Sequence, residues 1–94
     1  MIFRYGRAIE QNLDQLAAAQ QASARIQARY RDSFRTITGT WDRAADPKGR
    51  PIITLSLRDR VSGTTAYQEF TPGDVALPEF VADEFYTLAG HALS

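Results

Sequence analysis

The sequence predicts an α+β fold in the order α-β-β-β-α, with a long N-terminal helix, a three-stranded antiparallel meander sheet and a short C-terminal amphipathic helix. Three observations lead to this prediction. The segment from Arg7 to Arg35 is rich in good helix formers and contains no Pro or Gly. From Phe34 the apolar pattern changes to a period of two, which is typical of strands. After Leu77 the helical spacing returns.

Composition indicates a single small domain over residues 1–94. Apolar residues make up 44% of the chain and charged residues 23%, as in folded globular proteins. Eleven basic and eleven acidic side chains cancel, so no overall field holds a polyanion or an anionic membrane. The absence of cysteine excludes disulfides and thiolate metal sites. Because neither a signal-peptide core nor a membrane-spanning run is present, we expect a cytoplasmic protein.

The start of the predicted helix is left open by the sequence. Residues Met1–Tyr5 are apolar and aromatic enough to form a short strand, but they also suit a first helical turn. Asn12 with Gln15 fits a capping box, so the helix can begin anywhere from Gly6 to Leu13. It is also open whether the helix continues through Gln20–Ala24, which contains only Ala, Gln and Ser.

Apolar or small residues in the predicted helix recur in steps of three or four, close to the heptad period of 3.5. They are Ile9, Leu13, Leu16, Ala19, Ser23, Ile26, Tyr30, Phe34 and Ile37. An uninterrupted helix of about 28 residues would be about 42 Å long, whereas the strands would be about 23 Å. We therefore expect the N-terminal half of the helix to overhang the sheet and to expose apolar surface.

The predicted strands are joined by short turns. Residues 34–41 form the first strand, and Asp46-Pro47-Lys48-Gly49 fits a type I turn after it. In residues 51–58 the apolar side chains alternate with polar ones, which gives a half-buried strand. Residues 64–70 read as an edge strand, with Ala66 and Phe70 on one side and Tyr67 on the other.

Two helix starts follow the strands. Thr71-Pro72-Gly73-Asp74 has a capping residue, a proline and an acid in the order that opens a helix, with room for a single turn. Leu77-Pro78 opens a second helix, on one face of which lie Val81, Phe85, Leu88 and Ala92.

No motif for catalysis, metal binding or phosphate binding is present. The only histidine, His91, lies near the end of the sequence, and its spacing from Asp83 and Glu84 matches no metal-ligand motif. The glycines are spread singly and form no phosphate-binding loop. We therefore expect neither enzymatic activity nor a metal or other cofactor.

The helical arginines are the candidate contacts for nucleic acid. Arg25 and Arg29 lie on one side of the apolar stripe, and Arg31 and Arg35 lie on the other. This straddled arrangement suits arginine stems that flank a buried stripe better than a face that follows phosphates. Nucleic-acid binding is therefore the less favoured interpretation.

Charge is distributed unevenly along the chain. Residues 1–50 hold nine basic and five acidic side chains, whereas residues 51–94 hold two and six, which gives +4 and −4. The two halves therefore face each other within one molecule or meet between two molecules.

The sequence favours a non-enzymatic protein-interaction module, such as a small accessory, inhibitor or adaptor protein. It is expected to form a homodimer or to bind another protein through the overhanging helix, at Ile9, Leu13, Leu16, Ala19 and Ser23. The alternative is a nucleic-acid-binding regulator that uses Arg25, Arg29, Arg31 and Arg35.

Overall fold

The computed structural model describes residues 1–93, which form a four-stranded sheet with helices on one face. The elements are β1 (Ile2–Tyr5), α1 (Arg7–Glu10), α2 (Leu13–Arg29), β2 (Ile37–Ala45), β3 (Pro51–Asp59), β4 (Thr65–Phe70), α3 (Pro72–Val75) and α4 (Pro78–Leu93). The strands lie in the order β1-β2-β3-β4. The β1–β2 pair is parallel and the other two pairs are antiparallel.

The predicted mixed α+β architecture is confirmed, but the predicted three strands are wrong. Residues Ile2–Tyr5, which the sequence left open between strand and helix, form a fourth strand that pairs in parallel with β2. Parallel neighbours require a crossover connection, and the N-terminal helical segment provides it. Phe3 and Tyr5 of β1 pack against the core because they alternate with the exposed Ile2 and Arg4.

The predicted long helix is also wrong, because the chain breaks at Asn12. This residue is extended (φ −117°, ψ 99°), and its side-chain oxygen accepts a hydrogen bond from the Gln15 N–H at 3.1 Å. It therefore caps α2 and separates it from the single turn α1. Helix α2 is continuous through residues 20–24 and ends at Arg29. Its 17 residues span about 25 Å, less than the roughly 30 Å of a nine-residue strand, so the predicted overhang does not exist.

Helix α1 is fastened to β2. The Gly6 N–H donates to the Trp41 carbonyl at 2.8 Å, and the Ile9 N–H donates to Asp42 Oδ1 at 3.3 Å. A Cβ atom at Gly6 would lie 2.2 Å from Asp42 Oδ2, so a larger residue at this position would displace the Asp42 side chain. These contacts draw Ile9 into the core, where it is fully buried.

The predicted first strand over residues 34–41 is displaced, because β2 begins at Ile37, after a turn in which Phe34 has a φ of +56°, and continues to Ala45. The other turns, strands and helices follow the predicted pattern. The Asp46–Gly49 turn joins β2 to β3, and Gly49 has a φ of +80°. Thr71 and Asp74 form a complete capping box at the start of α3. The inward residues of β3 and α4 are buried as predicted, namely Ile53, Leu55, Leu57, Val81, Phe85, Leu88 and Ala92. Strand β4 is an edge strand, as predicted.

Candidate anion-binding site

The partner-binding surface predicted along the helix does not exist as one surface. Ile9 and Ala19 are fully buried and Ser23 is 3% exposed, so these three residues belong to the core of the protein. Leu16 is partly buried against that core. Leu13 is 76% exposed at the start of α2. The break at Asn12 turns Ile9 back onto the sheet, and the packing of α2 on the core buries Ala19 and Ser23.

Ser23 lies at the centre of a hydrogen-bond network inside the fold. Its hydroxyl accepts hydrogen bonds from Trp41 Nε1 at 2.8 Å and from the Tyr5 hydroxyl at 3.1 Å, and it donates to the Ala19 carbonyl at 2.9 Å. One donor and two acceptors are all that a serine hydroxyl offers, so its hydrogen-bonding capacity is used completely. This residue joins α2 to β1 and β2.

Two of the four arginines that the sequence assigned to the helix are engaged with α4. Arg25 forms an ion pair with Glu79, and Arg29 forms ion pairs with Glu79 and Asp83. The basic first half and the acidic second half of the chain therefore meet here within one molecule. Arg35 lies 3.7 Å from Asp32 in an exposed pair, whereas Arg31 forms no ion pair within residues 1–93. Arg31 and Arg35 lie after the end of α2, so the four arginines do not form one free basic face on a helix.

Neither a metal-binding group nor a membrane-spanning helix is found in the described residues. Within residues 1–93, no three His, Cys, Asp or Glu side chains are grouped in a way that could hold a metal ion. No helix in that range is long and apolar enough to cross a membrane.

The face of the sheet opposite the helices is uncovered. Strand register places Arg4, Thr40, Ser56 and Tyr67 in one row across all four strands of this open face. The adjacent row contains Ile2, Thr38, Arg58 and Thr65. The residues between these positions point to the helices and form the core, because side chains alternate along a strand. The open face is therefore polar and rich in hydroxyl groups.

A close contact between strands β1 and β2 keeps the sheet in this register. Gly39 lies opposite Phe3, and a Cβ atom at Gly39 would come within 2.8 Å of the Phe3 ring. The ring therefore occupies the space that a side chain on β2 would need. This packing fixes Arg4, the next residue of β1, on the opposite face.

Three arginines, Arg4, Arg58 and Arg60, line one depression of about 760 Å³ on the open face. Arg60 follows β3, and its guanidinium donates to the backbone carbonyls of Thr36 and Arg35 at 3.2 and 2.5 Å. Two of its five N–H groups are used in this way, so the group is held in place while three donors remain. Within residues 1–93, none of the three arginines forms an ion pair.

Tyr67 is the aromatic residue of this depression, and 57% of its surface is exposed. Its hydroxyl donates to Glu69 Oε1 at 3.1 Å, which restrains the ring. Partial desolvation of the phenol and the nearby Glu69 carboxylate raise the pKa of Tyr67 above its usual value of 10, so the phenol is neutral at physiological pH. The depression therefore combines three cations with one neutral ring.

Two carboxylates lie on the same side of the sheet, but neither lines the depression. Asp42 Oδ1 accepts hydrogen bonds from the backbone N–H groups of Ile9 and Arg43, which hold this carboxylate in place outside the depression. Glu69 lies one row beyond Tyr67, opposite Thr54. The charge of the depression itself is therefore positive.

Sequence reasoning missed this site. The alternation in β2 and β3 assigns Thr38, Thr40, Ser56 and Arg58 to the polar side of their strands, so a signal for an open face was present. Arg4 could be added only once residues 2–5 were known to be a strand beside β2. Arg60 is held at the depression by hydrogen bonds to backbone carbonyls 24 and 25 residues away in sequence. No local sequence pattern indicates hydrogen bonds over this separation.

No protein-family model, no curated protein and no solved structure matches the chain. Its function is therefore inferred from the geometry and charge of its own surfaces.

Proposed function

We propose that the protein is a non-enzymatic binding module that binds an anionic partner on the open face of its sheet. The observation that supports this proposal is the grouping of Arg4, Arg58 and Arg60 around one depression without an ion-pair partner in residues 1–93. Single unpaired arginines are common on protein surfaces. Three around one concave surface, in a chain of zero net charge, form a local positive field that favours an anion.

The restraint on Arg60 supports the same proposal. A free arginine loses side-chain entropy when it is fixed by a ligand, at a cost of about 0.5–1.5 kcal/mol. The backbone carbonyls of Thr36 and Arg35 already hold the Arg60 guanidinium, so most of this cost is met on folding. A guanidinium with its remaining N–H groups directed to an open surface suits the oxygens of a phosphate or carboxylate.

Titration with inorganic polyphosphate tests the proposal. We expect binding at low ionic strength that weakens as salt is added, because the contacts are ionic and exposed. The variant carrying both Arg4→Gln and Arg58→Gln should lose this binding. Arg60 is left intact because its replacement would also remove hydrogen bonds that hold the loop before β2.

Arg43→Gln is the matched control. Arg43 is an exposed arginine on β2, and its register position opposite Ile53 places it on the side of the sheet that carries the helices. The variant removes one positive charge from the same sheet but leaves the depression unchanged, so it should bind polyphosphate as the wild type does. Absence of binding by the wild type, or equal losses in the control and the double variant, would refute the proposal.

A protein partner or a second copy of the chain is the other candidate. Leu13 supports it, since this large apolar residue is 76% exposed on the helix that the sequence assigned to a partner. Sedimentation at high micromolar concentration would show a dimer that Leu13→Asp dissociates. A cytoplasmic location is proposed for either function.

A further inference from the structure

We infer that the open face binds single-stranded nucleic acid, with one base stacked on Tyr67 and the phosphates held by Arg4, Arg58 and Arg60. This inference rests on the anion-binding function proposed above and names the chemical class of the partner. It depends on two features of the surface: an aromatic ring beside the arginines, and hydroxyl groups between them.

The ring of Tyr67 lies next to the positive charges. Arg58 is paired with Thr65, which is two residues from Tyr67 on the same strand and the same face. Diagonal neighbours of this kind are about 7–8 Å apart at their Cα atoms, which is within reach of long side chains. A base stacked on the exposed phenol would therefore have its backbone phosphate close to the Arg58 guanidinium. Stacking of bases on aromatic side chains together with arginine contacts is the general chemistry of single-strand binding.

The row from Tyr67 to Arg4 provides a path across the sheet. It crosses three interstrand spacings, or about 14 Å, which a few consecutive nucleotides can follow. Thr40 and Ser56 lie between the two ends, and each hydroxyl can donate to and accept from bases or sugars. The carboxylate of Glu69 lies beyond Tyr67, so repulsion directs the phosphates to the side of the row that carries Arg58 and Arg60.

Other anionic partners fit this surface less well. An interface with a folded protein generally has an apolar core, whereas most of the residues that line the depression of about 760 Å³ are polar or charged. Peptides are generally bound by pairing at a sheet edge or by an apolar groove, and the interior of this face offers neither. In a duplex the bases remain stacked on each other, so none is available to Tyr67.

Fluorescence anisotropy with labelled single-stranded RNA and DNA of mixed sequence tests the inference. Duplex DNA and inorganic polyphosphate serve as comparators with the same full chain. We expect the single strands to bind more tightly than the duplex. Tyr67→Leu should weaken single-strand binding about 5- to 150-fold, which corresponds to the loss of one stacked base. Tyr67→Phe keeps the ring and should retain wild-type affinity.

Polyphosphate separates this inference from the proposed function. Because polyphosphate has no bases to stack, Tyr67→Leu should weaken its binding much less than it weakens single-strand binding, whereas the variant with both Arg4→Gln and Arg58→Gln should lose polyphosphate binding. If that result is obtained while Tyr67→Leu also leaves single-strand binding unchanged, or if the duplex binds as tightly as the single strands, the inference is overturned and the anion-binding function stands. If neither nucleic acid nor polyphosphate binds, both fail. Circular dichroism of each variant confirms that the fold is retained.

Discussion

Replacement of Ser23 by alanine tests whether this residue acts in the core, as the structure places it, or at a partner surface, as its position in the apolar stripe predicts. The serine hydroxyl is the acceptor for the indole N–H of Trp41, which is fully buried. In Ser23→Ala this donor has no acceptor and no access to water. The Tyr5 hydroxyl also loses its acceptor, but Tyr5 is only partly buried and can turn to solvent.

Most of the expected loss of stability comes from the buried indole N–H of Trp41, which loses its acceptor in this variant. A buried donor without a partner costs about 1–3 kcal/mol. The Ala19 carbonyl keeps its hydrogen bond from the backbone of the same helix, so it adds little. Alanine is a better helix former than serine, by up to about 0.5 kcal/mol, which offsets part of the cost. We therefore expect Ser23→Ala to lower the free energy of unfolding by about 1–2 kcal/mol, a substantial fraction of the 5–15 kcal/mol typical of domains.

Urea denaturation followed by the fluorescence of the single tryptophan measures this effect directly. Ser33→Ala is the matched control, because Ser33 is exposed and its side chain forms no hydrogen bond in the described chain. The control should change the free energy of unfolding by less than about 0.5 kcal/mol.

A double-mutant cycle with Trp41→Phe isolates the Ser23–Trp41 hydrogen bond. Phenylalanine removes the N–H donor, so Ser23→Ala should cost about 1 kcal/mol less in that background. The cycle is followed by circular dichroism because the tryptophan is absent. A Ser23→Ala variant as stable as the wild type, with an altered sedimentation coefficient, would refute the core role and support the partner surface.

Three further changes test other parts of the fold. The Asp59 carboxylate accepts hydrogen bonds from side-chain hydroxyl and backbone N–H groups, which lower its pKa from 3.8 to about 2. Asp59 therefore takes up a proton less readily in the folded state than in the unfolded state, so its ionised form stabilises the fold. This stabilisation is present above about pH 4 and is lost as the pH falls towards 2. Asp59→Asn should reduce that loss in acid titrations of stability. Gly39→Ala, which crowds the Phe3 ring, should destabilise the protein by about 1–3 kcal/mol in urea. Asn12→Ala, which removes the cap of α2, should lower the thermal midpoint through a loss of about 1 kcal/mol.

Two of these variants, Gly39→Ala and Asn12→Ala, have a control in the same chain. Gly73→Ala meets no atom closer than 3.8 Å, so it should be far milder than Gly39→Ala. Asn12→Ser retains a capping hydroxyl and should preserve most of the stability. Equal effects in a variant and its control would contradict the assigned contact.

Local patterns predicted the C-terminal two thirds of the fold well. The alternation of Ile53, Leu55 and Leu57 defines the buried face of β3, and the spacing of Val81 and Phe85 defines that of α4. These are short-range properties, because a strand or an amphipathic helix shows its buried face in its own residues. The same patterns place serine, threonine and Arg58 on the outer side of the sheet. Local patterns do not show that the outer side of the sheet remains uncovered, since that depends on where α2 and α4 pack.

The N-terminal third shows the limit of such patterns. The stripe from Ile9 to Ser23 has the same spacing in one continuous helix as in two helices joined at a cap, so the sequence alone predicted exposed apolar surface there. In the tertiary structure Ile9, Ala19 and Ser23 are buried instead.

The sequence by itself determined that this chain forms an α+β fold, that β3 and α4 each bury one face, and that no recognised catalytic motif is present. Tertiary structure decided the parallel pairing of β1, the burial of Ile9 and Ser23, and the meeting of Arg4, Arg58 and Arg60 on one face. The physical reason is distance along the chain. The hydrogen bonds of Gly6 and Arg60 join segments 24 to 35 residues apart, and such contacts leave no periodic signal in the residues that make them.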